Sequence, residues 1–584
     1  MITNKIFIPT FKNIFLFISV QIYYSNTRPI KHEIKFDNYL TLRTSVSQSF
    51  KLKILKPAQR FLSNCKLFFE KEINLKKTTK IAVGVLIAIG LLAIGLIIAN
   101  NILEKKIKTG IEDNLKKAQI TFDKVDVKLL DRTAEVINPF AEIKGKTLRV
   151  DTIQLNDIQI WDYLKNKDII IGELQISKPE VNFYNFKDKA EDTSAVDRKK
   201  KSSEFKNKIL VKNVNVRNGS FKIFEKDSSA HRLFANINAV KMEQVRINEK
   251  TLKETIPFNY ELILLSADSL FYELNEQQEL ALGDLEIDNN KVTISDFKIM
   301  PKYSKSGHQK TISVEKDRYD LSIDTISMED LNWTVQNDSV KIENPLTRIV
   351  HADFRIYRDK LPPDDTSFKP MYSEMIREMP FLINFDSISV SNSYLKYEER
   401  VHADREPGVV EFSDLNMQIT NFTNVGLNRS DFPKTRVVSN SSFMNGAPLH
   451  VDWEFDISDR ADQFTISGDM GRLAADQMNK FMKAGLNIEA SGEILEMYFN
   501  FYGNKNRAQG EMRLEYKDFK VEVLRKDGKR KNKFISALAN LIVRNKAQNK
   551  KANYKDISYA RDTTKSFWNY LWNLLKNGAL KSFL

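Results

Sequence analysis

Two Val-His-Ala-Asp tetrapeptides, Val350–Asp353 and Val401–Asp404, hold the side chains best suited to chemistry. On a strand, His351 with Asp353 and His402 with Asp404 would share a face, as a pair of metal ligands does. A chain of this length yields about one or two shared tetrapeptides by chance, so a match this short carries little weight. The acidic pairs Asp364-Asp365 and Glu398-Glu399 stand beside Pro or turn residues and read as solvated loop charge. There is no Gly-rich phosphate loop and no G-x-S-x-G nucleophile turn. Cys65 is the one cysteine, so no intramolecular disulfide forms and β pairing with burial must hold the fold. The expectation is a protein with no catalytic residues, no metal site and no cofactor.

What the chain supplies repeatedly is apolar surface. Six segments begin at Val150, Ile171, Val211, Leu282, Ile323 and Phe385, with apolar residues at +3, +5, +10 and +12 and a polar residue at +7. The first copy departs at +12, where Asp162 stands, and the copies are unevenly spaced. Steps of two mark strands with one apolar face. The odd step from +5 to +10 crosses Asp, Lys or Asn, where a chain turns, so each copy reads as strand, tight turn, strand. A lone hairpin cannot bury its apolar side, whereas stacked ones share it. The candidate lining of that side is the +3 and +5 pairs: Ile153 and Leu155, Leu174 and Ile176, Val214 and Val216. The later copies add Leu285 and Ile287, Ile326 and Met328, Ile388 and Val390. Such a face either closes into a sandwich or stays open as a trough that acyl chains can fill.

Ile81–Ala99 is an uncharged apolar stretch covering about 28 Å as a helix, which reads as a membrane span. Residues 1–60 carry ten Lys or Arg against Glu33 and Asp37. This favours an N-terminus in the cytoplasm and a large body across the membrane. Net charge is +14, but basic residues are interleaved with acids along the chain, which argues against a nucleic-acid surface. The expected plan starts with a basic segment, 1–75, either disordered or lying before the true start. The transmembrane helix follows at 76–101 and a helical stalk at 102–118. A repetitive β body spans 119–438, a second β region 439–533 and amphipathic helices 534–584. In the last of these, Trp568, Leu571, Trp572 and Leu575 fall on one side near Lys565 and Lys576. That stripe suits a membrane interface, and a cap packed on the β body is the alternative.

The order of span, repeats such as LVKNVNVRNGSFKIF at 210–224, and tail resembles the AsmA-like envelope proteins of Gram-negative bacteria, in their Bacteroidetes form. In that tail FTISGDMGRLAADQMNKF is followed by IEASGEILEMYFNFYGNKNRAQGEMRLEYKDFKV and RDTTKSFWNYLW. The similarity covers roughly residues 75–584, and the tail is its most specific part. It implies an inner-membrane anchor, a periplasmic β-groove and a role in phospholipid movement or outer-membrane homeostasis. The expected fold is mainly β: one N-terminal transmembrane helix, then an elongated, twisted antiparallel β-groove of degenerate hairpin repeats, then short C-terminal helices. The expected partners are phospholipid, the inner membrane, and the outer membrane or an envelope protein. The other reading is an anchored scaffold or glycan-binding β protein.

Overall fold

The computed structural model describes residues 104–524 and 554–583, apart from 118, 129, 143–145, 167, 185–207, 225–230, 254–256 and 337–338. The basic N-terminal segment, the apolar stretch Ile81–Ala99 and the expected helix Phe534–Val543 lie outside the described residues. The fold is mainly β, with 62% strand against 15% helix, in an open twisted sheet that does not close into a barrel. The chain divides into two compact units between Ala267 and Asp268.

In the first unit, β1 (Ile120–Thr121) and β2 (Lys124–Lys128) are followed by β3 (Thr133–Ile137) and β4 (Phe140–Glu142). Next come β5 (Lys146–Arg149), β6 (Thr152–Ile158), β7 (Ile169–Ser177) and β8 (Glu180–Tyr184). The long strands β9 (Ile209–Phe224) and β10 (His231–Ile247) follow, and β11 (Leu262–Glu273) runs across the division between the units. The short strands are halves of longer ones. β7 and β8 both pair parallel with β9, and β6 and β5 pair antiparallel with β7 and β8 in turn. The helix Glu104–Lys117 buries Ile111 and Leu115 completely, so it is docked on protein along that face.

The second unit is a meander with one exception. β12 (Gln278–Asp288), β13 (Lys291–Pro301) and β14 (Asp317–Glu329) pair antiparallel in turn, and β16 (Ser339–Asp359) pairs antiparallel with β14 and with its continuation β15 (Asn332–Gln336). β17 (Leu382–Arg400) then runs parallel to β16. Antiparallel pairing resumes through β18 (Gly408–Thr423), β19 (Thr435–Phe443), β20 (Ala447–Phe455) and β21 (Phe464–Met470), which β22 (Leu473–Ala474) continues. It ends with β23 (Ile488–Gly503), β24 (Arg507–Val523) and β25 (Lys555–Ala560). The expected uniformly antiparallel sheet is therefore corrected at two steps, β7/β8 to β9 and β16 to β17. Each follows a connection long enough to bring the chain back to its starting end, as a parallel pairing requires. No boundary falls at 438, because β19 runs through it. The segment 534–584 contributes a strand as well as a helix.

The polar residue at +7 of every copy has a left-handed backbone: Asp157, Lys178, Asn218, Asn289, Asp330 and Asn392, with φ between 47° and 54°. Only Asn289 sits in a hairpin turn, joining β12 to β13. At Lys178, Asn218, Asp330 and Asn392 the chain bends and carries on in the same direction, and at Asp157 it is about to leave β6. The hairpin reading thus holds for the fourth copy and is corrected to strand, bulge, strand for the second, third, fifth and sixth. A left-handed residue adds one position to the strand, so apolar residues an odd number apart return to the same face. Asn and Asp tolerate that backbone because their short polar side chains find local partners. Neighbouring strands bend together: Lys178 stands beside Asn218 in the parallel ladder, its N–H donating to the Arg217 carbonyl at 2.8 Å. Asn218→Val is expected to lower stability by about 1–2 kcal/mol and Asn218→Gly to leave it nearly unchanged, read as the shift in urea midpoint.

Candidate functional site

The bulges line the apolar residues up across the strands. In the first unit, directly opposed partners form the row Val125, Val136, Ile153, Ile176, Val216 and Val240. Beside it runs Val127, Ala134, Leu155, Leu174, Val214 and Met242. In the second unit one row runs from Leu285 through Ile294, Ile326 and Ile349 to Val390 and Met417. Its neighbour runs from Ile287 through Val292, Met328 and Thr347 to Ile388 and Ile419, then to Val437 and Trp453. Opposed side chains share a face, so each row is one apolar stripe crossing its sheet. Burying each such side chain contributes about 1.5–3 kcal/mol.

Exposure along the stripes is uneven. Of the twelve lining candidates, Ile153, Leu155, Leu174, Ile176, Val214, Leu285, Ile287, Ile326 and Met328 are buried. Val216, Ile388 and Val390 are half-buried. Although Ile419 on β18 and Val437 on β19 are buried again, the stripes are most open around β17. There Ile388, Val390 and Met417 are joined by Leu395, Phe412 and Phe443, also half-buried, with the two Phe rings 5.4 Å apart. The sequence signature did not single out β18 and β19. β18 carries two left-handed residues of its own, Asp414 and Asn421, which break its alternation twice.

Beyond this opening the C-terminal helix Phe567–Phe583 covers the stripe. Phe567 stacks on Trp453 at 4.7 Å, and Phe464 meets the edges of Phe567 and Tyr570. The buried side of the helix is Phe567, Tyr570 and Leu574, spaced three and four apart. The expected interface residues occupy the flank. Trp568 donates its indole N–H to the Tyr372 hydroxyl at 2.8 Å, and Trp572 meets the edge of Phe481. Leu571 and Leu575 are half-buried, while Trp568 remains 47% and Trp572 37% exposed. Burial drives the Tyr372 hydroxyl far above its usual range, so it stays neutral.

The segment leading into this helix is clamped by charge. Lys565 Nζ donates to Glu315 at 3.1 Å and to Asp364 at 2.8 Å. Arg358 grips Asp317 through two bonds of 2.6 and 2.7 Å. Asp365 is buried, not solvated as expected. Burial pushes its carboxyl up, but Lys369 and the Ser367 N–H outweigh this and hold it below the usual value. Glu398 and Glu399 likewise lie on β17 and pair with Lys305 and Lys360. The two His-containing tetrapeptides part company. His351 Nδ1 lies 3.0 Å from Asp324 on β14, Asp353 is gripped by Arg355, and His402 and Asp404 fall in the β17–β18 connection. Among the described residues no group of three His, Cys, Asp or Glu is placed to hold a metal ion.

Lys565→Ala would leave Glu315 buried and uncompensated, costing about 3 kcal/mol in the second unit, while Lys565→Arg should restore most of it. Asp364 titrates below its usual 3.8 because of its bond to Lys565. Burial pulls Lys565 down, but its two carboxylates outweigh that and raise it above 10.5. The clamp is therefore fully present near neutral pH, lost as pH falls through the depressed carboxylate value, and lost again above the ordinary lysine value. Urea midpoints of the native chain and of Asp364→Asn across pH should show the acid arm weakened in the variant. Neither the protein-family models nor the curated proteins searched contain a match to this chain.

Proposed function

We propose that this chain is a non-enzymatic envelope protein of AsmA-like type that holds or conducts phospholipid along the apolar face of its sheet. In this reading Ile81–Ala99 anchors it in the inner membrane, with the N-terminus cytoplasmic and the β body periplasmic. The observation that carries it is the pair of apolar stripes crossing an open sheet, with a half-buried patch at Ile388, Val390, Met417, Leu395, Phe412 and Phe443 on β17–β19. Each acyl methylene buried there contributes about 0.8 kcal/mol, so a two-chain lipid gains strongly without any specific contact. The charged headgroup stays in water at the open side. Successive strands offer similar apolar rungs about 4.8 Å apart, so movement along them needs no covalent step. The body would work with an outer-membrane or envelope partner if its length falls short of the gap between the membranes.

One observation favours an anchored scaffold instead: nine of the twelve lining candidates are buried, as in a filled core. Lipid analysis separates the two. A photo-crosslinker at Ile388 or Val390 should capture phospholipid in cells, and one at the intervening Ser389 should not. Mass spectrometry of the purified chain should find the same lipid bound. Equal yields at Ile388 and Ser389, or no bound lipid, would leave the scaffold.

A further inference from the structure

Three exposed apolar side chains gather at one end of the first unit's sheet. Leu130, in the turn from β2 to β3, is 99% exposed, and Trp161, just after β6, is 81% exposed. Leu252, on the short helix that follows β10, is 43% exposed. The pairings bring these connections to the same end. Lys128 opposes Thr133, Ile158 opposes Ile171, Ile169 lies beside Ile209, and Ile209 opposes Ile247. The Leu130 turn and the Trp161 helix are joined directly, because the Ile158 N–H donates to the Arg132 carbonyl at 3.1 Å and Arg132 pairs with Asp157. Large apolar groups this exposed cost free energy in water unless something apolar receives them.

The path of the chain says what receives them. Gln119, with φ of 60°, reverses the chain between the helix Glu104–Lys117 and β1. Ile111 lies two turns upstream of that reversal and is fully buried, so the helix runs back beside β1 and β2. Its 14 residues span about 21 Å, which carries its start toward the Leu130 end. Ala99 precedes Glu104 by five residues, a reach of at most about 18 Å. The sequence at this junction, Lys105, Lys106 and Lys108, suits anionic headgroups.

We infer that this end of the first unit beds in the membrane interface, with Leu130 and Trp161 entering the boundary between headgroups and acyl chains. The inference rests on the reading of Ile81–Ala99 as a span. It gives the apolar stripes a starting point: Val127, the first residue of one of them, lies three residues from Leu130, about 10 Å along the strand. A bilayer lipid would meet the stripe without crossing a polar gap.

The test uses the full chain in vesicles of phosphatidylethanolamine and phosphatidylglycerol, with Cys65→Ser as background. A fluorophore is attached at Leu130→Cys or Trp161→Cys, and at Lys178→Cys, which lies just past the far end of β7, nine residues from the start of that strand. Lipid carrying a nitroxide near the headgroup end of its acyl chain should abolish most emission at the first two positions and little at the third. Aqueous iodide should do the reverse. Iodide quenching at Leu130→Cys and Trp161→Cys equal to that at Lys178→Cys overturns the inference. Alkaline carbonate keeps the two failures apart. A chain that stays in the membrane while those labels face water retains its span and loses only this contact, whereas a chain that washes out loses both.

Discussion

A strand that must bend and still keep one side apolar has few ways to do so, and this protein uses one of them throughout. A left-handed residue adds a position to the strand, and the alternation of faces restarts with the same side inward. Asp157, Lys178, Asn218, Asp330, His351, Asn392 and Asp414 all take this backbone within or at the ends of strands. The cost is one strained φ per bend, which for most L residues is of order 1–2 kcal/mol and for Asn and Asp less. The return is that side chains five residues apart share a face, so rows such as Leu285 to Met417 stay continuous. Adjacent strands bend at the same level, as at Lys178 with Asn218 and His351 with Asn392, and the hydrogen-bond ladder continues past each bend. Without these residues the stripes would break into patches on opposite faces.

The stripes meet two fates in the second unit. Toward the C-terminus, Trp453 is covered by Phe567, and the helix is held by Lys565 reaching Glu315, 250 residues away in sequence. The apolar contacts supply most of the attachment, and the ion pairs fix where it sits, since a buried pair adds little net stability but makes misplacement expensive. On β17 and β18 the helical turns at 479–486 pack against the sheet near Gly408, yet Ile388, Val390, Met417, Phe412 and Phe443 stay half-buried. The same kind of surface is thus sealed in one place and accessible in the next.

How much of this could be read from the residues alone divides along physical lines. The shared apolar face of the twelve candidates was legible because strand alternation is a local property, and the structure sets all six +3/+5 pairs opposite apolar residues, with Thr347 against Met328 and Ile388 the one exception. The +7 residue was legible as a special backbone position but not as a bulge, because a hairpin turn and a bulge ask for the same φ from the same residue types. The parallel steps were not legible, since nothing local distinguishes a returning strand from a continuing one. The packed side of the last helix was not legible for a different reason. Trp568 and Trp572 dominate its composition, yet Phe567, Tyr570 and Leu574 match the shape of Trp453 and Phe464. The acids at Asp365 and Glu398 looked solvated because their lysine partners belong to other elements or to the far side of a turn.

Exposure also constrains any account in which lipid travels. An acyl chain needs a gap several ångströms wide, and residues as buried as Ile326 and Met328 leave none beside them. Passage along those rows would require the sheet to uncurl, opening the space in front of its apolar face. An open sheet can do this by changing the twist between adjacent strands, which lengthens no covalent path and breaks no ladder hydrogen bonds, whereas a closed barrel would have to break its seam. The bends help, because twist concentrates at bulges. A face that is shut when empty and able to open when filled avoids presenting a long apolar surface to water, and the half-exposed patch on β17–β19 is where such filling would cost least.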